Sequence, residues 1–112
     1  MYITGDICLE ILDEVVAAEL DEWPRELRAA LTRIIDRISA VGLERVGEPL
    51  VRHLTGKQWE LRPSGKRVEG RALYVTAMGR RVVIVLAFVK KTRKTPGRFI
   101  ELALKRAERI GS

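Results

Sequence analysis

Apolar positions divide the chain into a front part with a helical period and a back part with strand-like runs. Leu12, Val15, Val16, Leu20 and Trp23 recur at the spacing of one helical face. Pro24 ends that stripe, because it lacks the amide hydrogen that a helix interior needs. Proline is well suited to a first turn, so a second helix is expected to start at Pro24 itself. Its stripe runs through Leu27, Leu31, Ile34, Ile35, Ile38 and Val41, and Gly42 is a natural stop. Two amphipathic helices joined at a tight corner form a hairpin that must lay its apolar faces on something else.

The back part supplies that surface. "QWELRP" (58–63) alternates, with Trp59 and Leu61 on one side and Gln58, Glu60 and Arg62 on the other. "RALYVT" (71–76) and "RRVVIVLAFVKK" (80–91) are two more candidate strands, and the links "SGKRVEG" and "AMGR" hold the glycines that turns require. Three strands with short links predict an antiparallel meander. The third lacks alternation and is rich in β-branched residues, so it is expected at the centre, covered on both faces. Thr95-Pro96-Gly97 then opens a closing helix, with Thr95 as N-cap and Pro96 at the first position. Phe99, Leu102, Ala103, Ala107 and Ile110 form its stripe, and Glu101 pairs with Lys105 one turn on. The predicted order is helix, helix, strand, strand, strand, helix, in a single α+β domain over residues 1–112.

A chain of 112 residues closes one core and is too short for two. Charge changes the picture more than composition does. Residues 1–56 hold six Lys/Arg against eleven Asp/Glu, whereas residues 57–112 hold fifteen against four, so the net +6 hides a strongly basic second half. Such a concentration attracts polyanions, of which nucleic acid is the commonest in the cytosol, and a solvated face is the bland alternative. Cys8 and His53 stand alone in their types, which excludes an internal disulfide and leaves too few ligands for a His/Cys metal site. Both are read as structural or incidental. No targeting pattern and no run near the ~20 apolar residues of a bilayer span is found, so no membrane role and a cytoplasmic location are expected.

The sequence has no Gly-rich phosphate loop and no Ser/His/Asp set. Glu60 and Glu69 are the only acids of the basic half before Glu101, so metal-assisted and carboxylate-based hydrolysis find no support. What remains is a set of cations at strand ends. Arg62 closes the first predicted strand, Arg71 opens the second, and Lys90 and Lys91 end the third. In a meander the end of strand one lies beside the start of strand two, so these four are expected to gather at one edge of the sheet.

Such a cluster suits a phosphodiester. RNA is cut without metal when its 2′-hydroxyl attacks the adjacent phosphorus, and the enzyme must position the backbone, neutralise charge at phosphorus and move two protons. Arginine offers a fixed fork for phosphate oxygens, and a lysine crowded by other cations gives up its proton more readily. Tyr74 offers a hydroxyl and a stacking surface for a base, or else serves as a core aromatic. Arg62 is alternatively a surface ion pair with Glu60 or Glu69. The same cations would serve a protein that holds nucleic acid without cutting it.

Three segments, "GEPLVRHLTGKQWELR", "RALYV" and "VLAFVKKTRKTPGRFIELALKRAERI", together resemble the HigB-like, phage-associated branch of the RelE/ParE toxin superfamily. The shared motifs are Trp59-Glu60-Leu61-Arg62, Arg71 with Tyr74, Phe88 through Pro96, and Ala103 with Arg106. The resemblance covers residues 42 to 110. It implies a RelE-like fold, with an N-terminal helical hairpin packed on an antiparallel sheet of three to four strands and a C-terminal helix. It also implies the toxin of a type II toxin–antitoxin system, a metal-independent endoribonuclease cleaving mRNA on the ribosome and neutralised by an antitoxin with a helix-turn-helix DNA-binding domain. Neither cofactor nor metal is implied. Carried over by position, Arg71 and Lys91 match the cations that grip or polarise the scissile phosphate, supported by Arg62, Lys90 and Lys94. Lys57, Tyr74, Arg93, Lys94 and Arg98 are the expected RNA contacts. The chain departs from its relatives where they have "LHGF", since Leu86-Ala87-Phe88 lacks the histidine, and no tyrosine follows Tyr74. "MYIT" is all that could form the family's first strand. Two alternative functions use the same features: a non-catalytic ParE-like inhibitor of DNA gyrase, and a plain nucleic-acid-binding module.

Overall fold

A computed structural model describes residues 2–4, 7–78 and 81–110 of the chain. It is an α+β protein with a mixed sheet of six strands. In chain order the elements are β1 (Tyr2–Thr4), β2 (Ile7–Ile11), α1 (Glu14–Asp21), α2 (Arg25–Val41), β3 (Val51–Thr55), β4 (Gln58–Leu61), β5 (Gly70–Ala77), β6 (Arg81–Val89) and α3 (Gly97–Ala107), with a single 3₁₀ turn at Leu43–Arg45. The strands lie in the order β1-β2-β6-β5-β4-β3. All pairs are antiparallel except β2 with β6.

The sheet is therefore larger than the expected three to four antiparallel strands. The meander β4-β5-β6 is present, and β6 is interior, between β5 and β2. Arg80 and Gly79 of the predicted third strand and its turn lie outside the described residues. β1 occupies part of "MYIT". β2 and β3 were not foreseen, so a strand and not a helix comes first, and the hairpin follows it. β2 is five residues long and pairs with a strand some seventy positions away, and β3 is an exposed edge strand carrying Arg52 and His53. β2 does alternate, with Ile7, Leu9 and Ile11 against Cys8 and Glu10, but only over five residues that run straight into the stripe of α1, and β3 shows no alternation.

Both helix starts are displaced by one residue from the expectation. Asp13 caps α1, its carboxylate accepting from the amides of Val15 and Val16, while Pro24 and Pro96 are the N-caps of α2 and α3 and not their first residues. α2 ends at Gly42, whose φ of 93° is a conformation that favours glycine. No helix among the described residues is long and apolar enough to cross a membrane.

The core has two layers. Val16 and Leu20 of α1, Trp23 at the corner, and Leu27, Leu31, Ile34 and Ile38 of α2 cover one face of the sheet, against Leu61, Ala72, Tyr74, Val82, Ile84 and Ala87. Ala103, Phe99 and Ala107 of α3 cover the other, against Leu73, Val75, Val83, Val85, Leu86 and Phe88. Removing a side chain such as Leu27, which has no exposure, would cost about 2–5 kcal/mol. Gly70 gives the corner of the hairpin its seat: a Cβ there would lie 2.9 Å from the Trp23 ring, so only glycine lets the indole close on the start of β5.

The membership of these layers exposes a β-bulge. Leu73 pairs with Leu86 and Tyr74 with Ile84, so Val85 has no partner on β5. Before the bulge Val83 and Val85 face α3; after it Leu86 and Phe88 do. The extra residue thus reverses the in-and-out phase of the last part of β6. β2 reaches only as far as Ile84, so the edge of β6 beyond it has no strand neighbour. Two helices supply what is missing: Arg106 donates to the Val85 carbonyl at 2.9 Å, and the Ala87 amide donates to Glu19 at 3.0 Å. Glu19 and Arg106 close on each other through two bonds, of 3.0 and 2.8 Å.

Candidate functional site

The strand pairings bring the cations together at one end of the sheet. Leu61 lies opposite Ala72, and Arg71 lies opposite Phe88, so the end of β4, the start of β5 and the end of β6 are neighbours. Glu60 and Arg62 point to the α3 face with Arg71, and the phase set by the bulge sends Phe88 and Lys90 the same way. The result is a cleft of about 270 Å³ lined by Arg52, Arg62, Arg71, Lys90, Arg93 and Lys94, with Glu60 as its one acid.

Two carboxylates hold these cations, Glu60 on the floor of the cleft and Glu69 outside it. Glu60, 2% exposed, has one oxygen 3.7 Å from Arg71 Nε and 3.6 Å from Arg62 Nε, and its other oxygen accepts from the Thr95 hydroxyl at 2.6 Å. Glu69 accepts from Arg71 at 3.3 Å and lies 3.5 Å from Lys90 Nζ. Arg71 is itself 3% exposed and also donates to the Gly70 carbonyl at 2.7 Å. Burial lowers its pKa below the ordinary arginine value, and the nearby Arg62 charge adds to this, while Glu60 and Glu69 oppose it. Hydrogen bonding from Arg71, with the Lys90 and Arg71 charges, draws the Glu69 carboxyl below its usual range against a smaller opposing effect of burial. Arg62 and Lys90, 18% and 24% exposed, stand nearer the mouth. Arg62 Nε is buried without a hydrogen-bond partner among the described residues.

Of the four expected strand-end cations, Arg62, Arg71 and Lys90 line this cleft and Lys91 does not. Lys91 lines an adjoining groove of about 610 Å³ with Lys66 and Arg67. The bulge is the reason: a regular β6 would have turned Lys91 toward Arg71 and Lys90 away. Arg93 and Lys94 line the cleft, and Arg93 borders the groove as well. Arg98 lies farther along, its guanidinium 4.8 Å from the centre of the Phe99 ring. Lys57 is exposed in the turn between β3 and β4, at the opposite end of β4 from Arg62, and lines neither the cleft nor the groove.

Two expectations need correction. Tyr74 is 1% exposed and packed in the layer under α1 and α2, where burial raises its hydroxyl pKa, so it has no face to stack on a base. Thr95 does not cap α3, because its hydroxyl is used on Glu60. Sequence reasoning also missed Arg52 and His53, which reach the cleft from the unforeseen β3. The His53 ring lies 4.6 Å from that of Trp59 and its Nε2 donates to the Gly56 carbonyl at 2.8 Å, so the hairpin holds it. Glu60 was visible only as an ion-pair partner, although it sits at the centre of the floor.

Chemically, the cleft concentrates six cations against one acid among the described residues. That suits an anion with more than one oxygen, such as a phosphodiester. The sequence profile of the family described as phage-derived protein Gp49-like matches residues 18–108, and the chain belongs to that family. The family is associated with RelE-like toxins of toxin–antitoxin systems. No curated protein matches the chain.

Proposed function

We propose that this member of the Gp49-like family is the toxin of a toxin–antitoxin pair of the HigB-like type and acts as a metal-independent endoribonuclease on mRNA at the ribosome. The observation that carries the reading is the convergence of six cations and one acid on a single cleft at the ends of β4, β5 and β6. In the reaction the 2′-oxygen forms a bond to phosphorus and the bond to the 5′-oxygen of the next nucleotide breaks. The 2′-hydroxyl loses a proton and the departing oxygen gains one, leaving a 2′,3′-cyclic phosphate and a 5′-hydroxyl. Lys90 and Arg62, near the mouth, contact the non-bridging oxygens as charge builds on them. Arg71 lies deeper and supplies a fixed positive field, anchored by Gly70, Glu69 and Glu60. Its burial makes an added anion favourable, since an anion would offset the desolvation of the guanidinium.

The antitoxin, in this reading, carries a helix-turn-helix domain and an acidic segment that covers the cleft by charge complementarity. Expression of the toxin alone should arrest growth, and a neighbouring gene for such a protein should relieve it. The direct test adds purified protein to a translating extract and maps the mRNA ends. Cleavage with cyclic phosphate termini is expected from the parent, with a loss of about 10²–10³-fold in Lys90→Ala. Arg71→Ala is a poorer first choice, because it strips the buried Glu60 of a partner and tests fold and site together. Intact mRNA alongside lost gyrase supercoiling would replace the ribonuclease with an inhibitor.

A further inference from the structure

We infer that the groove beside the cleft is a second phosphodiester subsite, one that takes the backbone of the same RNA strand whose scissile phosphate occupies the cleft. This rests on the ribonuclease reading and extends it to how the strand lies. Five cations, Lys66, Arg67, Lys90, Lys91 and Arg93, line the groove against one acid, Glu69. That carboxylate is already turned onto Arg71 and Lys90, so it does little for Lys66 and Arg67. Like charges gathered around one groove repel, and an anion between them relieves the repulsion. Lys90 and Arg93 line both the groove and the cleft, so the two form one continuous cationic track.

The track is built and not merely solvated. Lys66 and Arg67 occupy the tip of a tight turn closed by a 2.7 Å bond from the Gly65 amide to the Val68 carbonyl. A bridge between Ser64 and Glu69 and a 2.9 Å bond from the Gly70 amide to the Pro63 carbonyl fasten its base. Its tip is seated on α2, where the Lys66 amide donates to Glu26 at 3.2 Å and a Cβ on Gly65 would fall 2.7 Å from the Glu26 carboxyl carbon. Backbone atoms make these contacts, and both cationic side chains are exposed. Among the described residues no aromatic side chain lines the groove. It therefore offers bases no aromatic platform, and its ammonium and guanidinium groups fit the sugar-phosphate backbone without regard to sequence.

The test measures binding separately from cleavage, with 2′-O-methyl oligonucleotides, whose capped hydroxyl cannot attack phosphorus. Fluorescence anisotropy compares the parent with a double variant, Lys66→Glu with Arg67→Glu, across a salt series. Affinity for the parent should rise as the oligomer grows beyond a dinucleotide. The variant should lose that gain, about tenfold or more for a long oligomer, and its log–log salt slope should fall by about 1.4, the release expected from two single-strand phosphate contacts. Dinucleotide binding should be unchanged. Equal affinity of long oligomers for parent and variant would overturn the subsite, and so would saturation by two dinucleotides per protein, which would make the sites independent. Scoring mRNA cleavage by the parent in parallel keeps the two ideas apart. A length-dependent gain lost in the variant of a protein that cuts nothing upholds the groove and removes the ribonuclease. Cleavage without that gain removes the groove alone.

Discussion

Two arginine–glutamate assemblies lie in this small domain, and they are built differently. The brace of Glu19 and Arg106 is tightly bonded: two bonds of 2.8 and 3.0 Å join the pair, and each partner also satisfies a backbone group on the open edge of β6. In the cleft, by contrast, Arg62, Arg71 and Lys90 share Glu60 and Glu69 at 3.3–3.7 Å, and Arg62 Nε has no hydrogen-bond partner among the described residues. Charge that is well partnered holds structure. Charge held together with fewer partners retains capacity for a ligand, and in this molecule that difference, and not burial, sets the two assemblies apart. Arg71 is the more buried of the two kinds.

The largest effect expected from this contrast is on catalysis: Lys90→Ala should lower mRNA cleavage by about 10²–10³-fold while the denaturant midpoint stays close to that of the parent. Arg106→Ala should do the reverse. It leaves Glu19 and the Val85 carbonyl without their partner and should cost about 2–3 kcal/mol in equilibrium unfolding. If instead Arg106→Ala unfolded as the parent does, the brace would not be structural and the contrast would collapse. Lys91→Ala sharpens the geometry, since its side chain lies in the groove and should lose only a few-fold in cleavage. Equal losses from Lys90→Ala and Lys91→Ala would mean that the phase of β6 does not decide which lysine serves.

The smallest effect concerns Glu69. Its carboxyl titrates below the usual value of 4.5 when folded, so its contribution to stability is complete above that pH and is lost as pH falls through the lower folded value. Glu69→Gln should flatten the acid side of the stability profile by only about a few tenths of a kcal/mol, because the group is half exposed and screened. The same substitution removes a resident anion from Arg71 and Lys90, so oligonucleotide affinity should rise slightly.

Much of this was legible in the residues. The stripes of α2 and α3 and the alternation of β4 marked their elements, and the meander they imply was enough to bring Arg62, Arg71 and Lys90 together. The rest depended on partners distant in sequence. β2 pairs with an edge that β6 offers it, and β3 with one that β4 offers; the alternation of Ile7–Ile11 is short and merges with the helical stripe that follows, and Val51–Thr55 has none. The bulge was invisible for a different reason. A strand buried on both faces shows no alternation, so the slip at Val85 breaks no pattern. Tyr74 was ambiguous in the same way, because an aromatic on a central strand reads alike whether it faces a helix or a ligand.

The doubled lysine at the end of β6 acquires a meaning from that slip. A single cation there would make the charge of the cleft hostage to parity, since gaining or losing one residue anywhere in the strand would exchange the side that it faces. With Lys90 and Lys91 in tandem, either count delivers an ammonium group to Arg71 and its neighbour to the track alongside. The pair makes the site indifferent to an odd or even strand.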